Sequence, residues 1–328
     1  MNTDAAADPF RFHGGRLAAA AARFAGAPTP WIDLSTGISP WAYPVPDMDQ
    51  PLYHRLPEPE KLRALEDAAA HAFGVADSDE VVAVPGSDIA IRLLAVLFPG
   101  QRSAMLTPIF AGHKAAWPDA AEINVEEADT VSGKYDLLIL ANPNNPDGRI
   151  MSPDRLRALH GQLIVDEAFA DTDPATSLLP DKRGAIVLRS FGKFFGLAGI
   201  RLGFVVADIA VAQRLRNMLG DWPVSGAAIE IGLAAYQDKK WQDDHRRALN
   251  KAASRLDAML ETGGLAIVGG TSLFRLAAHD RAGELFEHLG RAGILVRPFN
   301  TDERQLRFGL PANEVAWERL SSALKDWQ

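Results

Sequence analysis

Ser190-Phe-Gly-Lys193-Phe-Phe-Gly-Leu-Ala-Gly-Ile-Arg201-Leu-Gly203 is the stretch on which the reading of this chain turns. A lone lysine is ordinarily a solvated surface residue. This one follows directly on an apolar run, Ala185–Ser190, and sits between glycines and aromatic residues. An arginine comes eight residues later in a second glycine-flanked turn, and another apolar run, Leu202–Ala207, follows it. The pattern places a lysine and an arginine in one connection beyond the end of a strand.

Outward from that connection, short apolar strands alternate with amphipathic helices. The predicted strands are Glu80–Val84, Ser103–Thr107, Asp136–Ala141, Gln162–Asp166, Ala185–Ser190 and Leu202–Ala207. Several are unbroken apolar runs, as Leu137-Leu138-Ile139-Leu140 is, which is the signature of a parallel sheet covered on both faces. Helices are expected at Asp88–Leu97, after Ala111 and at Pro153–His160. Alternation of this kind predicts a doubly wound α/β domain, whose ligands lie beyond the carboxyl ends of the strands. The conspicuous polar residues sit at those ends. Residues 227–261 read as long helix with a break near Asp238, and 266–327 as a small α+β domain. The expected division is 50–235 for the large domain, 236–328 for the small one, and 1–49 as an arm joining the latter.

Bulk properties narrow the function. A net charge of −8 without a basic block argues against a nucleic-acid binder. No apolar run approaches the ~18 residues that span a bilayer, and the first residues lack the plan of a secretory signal. Cysteine is absent, so neither disulfides nor thiolate metal ligation is available. The expectation is a cytoplasmic enzyme with no metal site and no membrane partner.

The 190–203 stretch resembles the cofactor-lysine motif of fold-type-I pyridoxal-phosphate enzymes, S-x-x-K-x-x-G-L-A-G-x-R-x-G. The resemblance implies pyridoxal 5′-phosphate carried on Lys193, with Ser190 and Arg201 holding its phosphate. It also implies a mostly parallel seven-stranded sheet. Upstream, Val165-Asp166-Glu167-Ala168-Phe169 is similar to the family's V-D-E-A-Y, so Asp166 would pair with the pyridine nitrogen and Ala168 pack on one ring face. Asn142-Pro-Asn-Asn145-Pro-Asp-Gly148 resembles N-P-N-N-P-T-G, with Asn145 on the 3′-oxygen; by itself the loop is ordinary turn chemistry. Gly86-Ser87-Asp88 would be the phosphate cup, although Ser-Asp at a helix start is also an ordinary cap. Phe110, with His113 as alternate, would stack on the other ring face, and either residue is equally compatible with simple packing. These groups occur in the family's chain order.

Three hypotheses follow for the reaction. Leu306-Arg307-Phe-Gly resembles the strand whose arginine binds the substrate carboxylate. Ile294-Leu-Val-Arg297 resembles the segment of histidinol-phosphate aminotransferases whose arginine contacts a substrate phosphate. His13-Gly14-Gly15-Arg16 and Asp33-Leu-Ser-Thr-Gly-Ile-Ser-Pro40 are similar to the start of threonine-phosphate decarboxylases of cobalamin biosynthesis, which would set His13 and Gly15 near the substrate phosphate. Arg16 and Ser39 stand where that pattern has asparagine, and Phe169 where aminotransferases often have tyrosine. The first expectation is decarboxylation of a phosphorylated amino acid, the second transamination, and the third an inactive cofactor-sensing paralogue. The resemblance also implies a homodimer, with Tyr53 or the N-terminal arm contributing across its interface.

Overall fold

Leu137–Ala141 is buried along almost its whole length, and a run with no polar face can be accommodated only where helices cover both sides of a sheet. The computed structural model describes residues 8–45, 47 and 51–327. It places this strand inside a seven-stranded sheet of order Val81–Val84, Gly203–Val206, Ile186–Ser190, Gln162–Asp166, Leu137–Ala141, Ser103–Thr107, Ala121–Asn124. Neighbours are parallel, except that Gly203–Val206 runs antiparallel to both of its partners. The exception has a physical cause. A parallel return needs a crossover of about a dozen residues or more, usually a helix. Residues 191–202 are spent instead on a four-residue helix, Phe191–Phe194, and a 3₁₀ turn, Ala198–Ile200. The chain therefore folds back beside its own strand, and Lys193 is left at the carboxyl edge.

The strand missing from the sequence reading is Ala121–Asn124. It lies at the sheet edge, pairs only with Ser103–Thr107, and alternates between half-buried and exposed residues. Four residues of Ala-Glu-Ile-Asn carry no apolar run to mark them. On one face of the sheet the helix Ser87–Leu97 packs Ile91 and Leu94 against Val82, Val84, Ile139 and Ile164. Each such buried side chain is worth roughly 1.5–3 kcal/mol of transfer free energy.

The chain divides into two units: Ala42–Asn145 with Arg149–Arg246, and the described residues through Trp41 with Pro146–Gly148 and everything from Arg247 onward. The second division falls inside the helix Lys239–Thr262, not before it as the sequence suggested. Its first turns pack on the Lys193 connection, described below. The expected helix break is at Asp238, which ends Gly226–Gln237 and then accepts a hydrogen bond from the Trp241 amide (2.9 Å) to start the next helix.

The second unit is built on an antiparallel sheet of order Arg297–Pro298, Gln305–Gly309, Phe274–Ala278, Ala266–Thr271. Ala266–Thr271 and Phe274–Ala278 are two strands joined by a turn. Ile32–Asp33 pairs in parallel with Ile294–Leu295, within the unit that holds the described residues through Trp41.

Asn142, just past the strand Leu137–Ala141, is 1% exposed and bonds three backbone groups: Nδ2 donates to Met151 O (3.1 Å) and Thr176 O (2.9 Å), and Oδ1 accepts from Met151 N (2.8 Å). Asn142→Ala leaves these groups buried and unsatisfied. The expected loss is about 2–3 kcal/mol of stability, read as a lower urea midpoint at unchanged slope.

Candidate active site

The carboxyl edge of the sheet carries an anion cradle. After Val81–Val84 the chain turns at Gly86, whose φ of 90° suits glycine, and enters the eleven-residue helix Ser87–Leu97. A Cβ on Gly86 would lie 2.5 Å from Nη2 of Arg201, so the guanidinium rests directly on the turn. Arg201 itself is held in the left-handed region (φ 55°), and its Nη1 donates to Ala198 O at 3.2 Å. Gly203 permits a second close approach: a Cβ there would be 2.7 Å from the Ser87 amide nitrogen. A helix N-terminus with free amides beside a fixed arginine is suited to a phosphate dianion. Ser190 ends the adjacent strand and is buried. Asp88 faces the cradle through its backbone, as the sequence expectation has it. Its carboxylate forms an i,i+4 ion pair with Arg92 (3.3 Å), so only its backbone belongs to the cradle.

On the strand next to that of Ser190, Asp166 ends Gln162–Asp166 and is 5% exposed. Oδ1 accepts from the Ala168 amide (3.1 Å), which closes a tight turn and fixes Ala168 beside it. Oδ2 lies 2.9 Å from Nε2 of His113, a bond in which the imidazole N–H donates to the carboxylate. His113 is wholly buried, and its ring lies nearly parallel to Trp117 (6.3 Å, 18°). This replaces the alternate role given to His113 in the sequence reading: its nitrogen is engaged by Asp166 and a ring face by Trp117, so it is the carboxylate's partner. Phe110 is half-buried at the start of the helix Ala111–Ala116, with its ring edge-on to His113 (6.3 Å, 88°). In the Asn142–Gly148 loop, Asn144 donates to Pro108 O (2.9 Å), which ties the loop to the Phe110 segment. Asn145 is the next residue and half-buried.

Lys193 lies in the short helix Phe191–Phe194, with its ammonium 6.0 Å from the centre of the Phe169 ring. The aromatic residues around it form a packed cage. Phe191 and Phe195 stack at 4.3 Å, Phe195 stacks on Trp241, and Trp241 stacks on His245 at 4.2 Å. Nε2 of His245 donates to the Phe194 carbonyl (3.1 Å), and Arg246 covers the Phe194 ring at 5.1 Å. The turn bearing the lysine is therefore clamped by the helix Lys239–Thr262, which sequence reasoning left without a site role. Its signal was present as Trp241 and His245 at i,i+4 spacing on one helix face.

In the other unit Arg297 and Arg307 stand opposite one another on adjacent strands, both buried. Burial lowers Arg297 to about 10. Burial and the neighbouring Arg297 charge push Arg307 well below the arginine range, against the opposing pull of Asp33. Two desolvated like charges side by side favour an anion. Arg307 Nη2 also donates to Ser35 O (3.2 Å), and Ser35 in turn is bonded to Asp33 and to the Gly15 amide (2.8 Å). The amide of Gly15 is thus engaged by Ser35, which shapes this loop. His13 is exposed in the same turn. The side chain of Tyr53 lies outside the described residues.

The donor set fits pyridoxal phosphate: a dianion cradle at Gly86, Ser87, Ser190 and Arg201, a buried carboxylate for a protonated ring nitrogen, and a primary amine. Among the described residues no cluster of three or more His, Asp or Glu is placed to hold a metal ion.

Residues 41–317 match the family model described as aminotransferase class I and II, and the chain belongs to that family. The histidinol-phosphate aminotransferase of Sinorhizobium meliloti, solved with pyridoxal 5′-phosphate, superposes with a TM-score of 0.81 over 100% of both chains at 18% identity, a likeness of fold. Within the family, the threonine-phosphate decarboxylase of Pseudomonas aeruginosa is 40% identical over 95% of this chain and 96% of its own. The histidinol-phosphate aminotransferase of Rhodospirillum centenum is 31% identical over 84% of each.

Two predictions follow from this geometry. Gly86→Ala forces a side chain into Arg201, and together with Arg201→Gln it should weaken pyridoxal-phosphate binding by at least about tenfold, measured by titrating apoprotein. Burial pushes His245 down from 6.5 to about 4, so the fold favours the neutral ring. The unfolded chain takes up this proton first as pH falls. His245 therefore contributes stability that is complete above pH 6.5 and is lost between 6.5 and 4. His245→Gln should flatten the urea stability profile across that window; an unchanged slope would contradict it.

Proposed function

We propose that this chain is a pyridoxal-phosphate-dependent lyase that decarboxylates L-threonine O-3-phosphate to (R)-1-amino-2-propanol O-2-phosphate in cobalamin biosynthesis. The observation that carries the reading is the nearly full-length similarity to a threonine-phosphate decarboxylase, 40% against 31% for the aminotransferase. Its substrate bears a carboxylate and a phosphate, and the buried Arg297–Arg307 pair offers two cationic anchors for two anions. When bound, the cofactor supplies an electron sink joined to the substrate's Cα. Asp166, braced by His113, holds the proton on the ring nitrogen that makes the sink effective. Arg307, as the carboxylate anchor, governs which bond at Cα is broken. Arg297, with His13, takes the phosphate. Lys193 is the amine that carries the cofactor and delivers a proton to Cα as CO₂ departs. Phe169, standing where aminotransferases often have tyrosine, brings no hydroxyl donor near the amine.

The working form we propose is a cytoplasmic homodimer. Leu56 (62% exposed) and Trp222 (53%) line one open groove on the cofactor-carrying unit, an apolar surface suited to a partner. Among the described residues no helix is long and apolar enough to cross a membrane.

The test is incubation of purified holoprotein with L-threonine O-3-phosphate in the absence of any keto acid. Catalytic CO₂ release with formation of the amino alcohol phosphate is expected, and Arg307→Lys should lower kcat/KM by about 10²-fold through loss of the bidentate fork. Turnover seen only with histidinol phosphate and 2-oxoglutarate would sink the decarboxylase reading.

A further inference from the structure

The sheet face opposite Asp166 and Ser190 carries a second polar cluster that the proposed chemistry does not use. Strand alternation sends successive side chains to opposite faces. Asp166 is in register with Leu188, and Ser190 is two residues further on, so these share the cofactor face. Their immediate neighbours Glu167 and Arg189 therefore point to the other. There the Glu167 carboxylate, 0% exposed, accepts from Ser177 Oγ, from the Leu178 amide (2.6 Å) and from Arg189 Nη1 (3.2 Å). Arg189 Nη2 donates to Asp171, and the guanidinium lies 4.5 Å over the Phe73 ring. The Asp171 carbonyl accepts from Arg246 Nε (2.8 Å), the helix residue that also covers Phe194. Asp171 Oδ2, Arg189 Nε and the Tyr236 hydroxyl are buried in the same cluster with no hydrogen-bond partner among the described residues.

Stability does not account for this arrangement. Desolvating each of three charges costs several kcal/mol, and well-packed apolar residues of similar volume are commonly as stable or more so. Here one cation stands between two carboxylates. Burial pushes the Glu167 carboxyl up and Asp171 adds to that, while Arg189 opposes it. What the cluster does provide is position. The backbone ladder between the two strands runs only from Ile164–Ile186 to Asp166–Leu188, closed by Glu167 N to Leu188 O (2.9 Å). Beyond Leu188 the lysine-bearing strand is paired on its other side alone, Ser190 with Gly203. The Glu167–Arg189 ion pair continues the link one residue past the end of the ladder. It does so beside the residue that meets the ring nitrogen and four residues before the amine that carries the ring.

We propose that Glu167 and Arg189 are positioning residues that fix the spacing between the Asp166 strand end and the Ser190–Lys193 turn, and so set the protonation and the affinity of the bound cofactor. They act through their neighbours and touch neither cofactor nor substrate. The inference rests on the cofactor being carried by Lys193 and is independent of which substrate is used.

The experiment compares holoprotein with Arg189→Met and Glu167→Gln. Methionine retains packing against Phe73 without the charge, and glutamine retains the acceptor for the Leu178 amide. Three quantities are read: the pyridoxal-phosphate dissociation constant, the pH midpoint of its visible band, and the Tm of the apoprotein. Both variants should raise the dissociation constant by about tenfold or more, given the sensitivity of such sites to small displacements, and move the band's midpoint. A lower Tm with dissociation constant and midpoint unchanged overturns the proposal and leaves a purely structural cluster. If Arg189→Met does not fold, Glu167→Gln decides by the same readouts. Borohydride reduction and peptide mapping of the wild type separate the two layers. Label on a residue other than Lys193 defeats the site reading, whereas label on Lys193 with unaltered variants defeats this inference alone.

Discussion

The connection from Ser190 to Gly203 is spent on a four-residue helix and a 3₁₀ turn and not on a crossover helix, so the chain returns antiparallel to its own strand. That constraint shapes the rest of the cofactor-carrying unit. It leaves Lys193 at the carboxyl edge of the sheet and inserts Gly203–Val206 between Val81–Val84 and Ile186–Ser190. The inserted strand can lie there because Gly203 has no side chain to meet the Ser87 amide or the Arg189 carbonyl. Arg201, two residues before Gly203, is thereby delivered to the N-terminus of the helix Ser87–Leu97. Phosphate cradle and lysine are thus two consequences of one tight return.

A turn that short has little intrinsic order. It is held by the aromatic cage of Phe191, Phe195, Trp241 and His245 on one side and by the Glu167–Arg189–Asp171 cluster on the other. Arg246 touches both, through the Phe194 ring and the Asp171 carbonyl. Buried charge and stacked rings are expensive to rearrange, since an unmatched buried ion or an emptied ring contact costs several kcal/mol. Such surroundings hold the backbone at Lys193 in one place. Asp166 is braced in the same manner, with one oxygen on the Ala168 amide and the other on His113.

The pair of buried arginines in the second unit arises from different physics. Arg297 and Arg307 face one another across two strands of an antiparallel sheet, so their proximity is a matter of register. The parallel pairing of Ile32–Asp33 with Ile294–Leu295 brings the N-terminal segment to the same place, where Ser35 bonds Asp33, Gly15 and Arg307 together. No helix dipole is involved. The site depends on charge concentrated where water has been excluded.

Much of this was legible in the residues themselves. The apolar run Leu137–Ala141 identifies a doubly covered sheet, because no other environment satisfies a strand without a polar face. The motif from Ser190 to Gly203 marks a strand end followed by a tight turn bearing a lysine and an arginine, and Asp238 marks the helix break. Ala121–Asn124 was not legible, since an edge strand needs no apolar run. The roles of His113, Glu167, Arg189 and His245 were not legible either. Each is defined by a partner 22 to 53 positions away, or 51 in the case of His245. Local sequence determines which segments form strands and helices and which turns can bear a lysine, because propensity and periodicity act over a few residues. Only the tertiary structure decides which buried charge meets which, because those pairings are set by strand register and burial across the whole sheet.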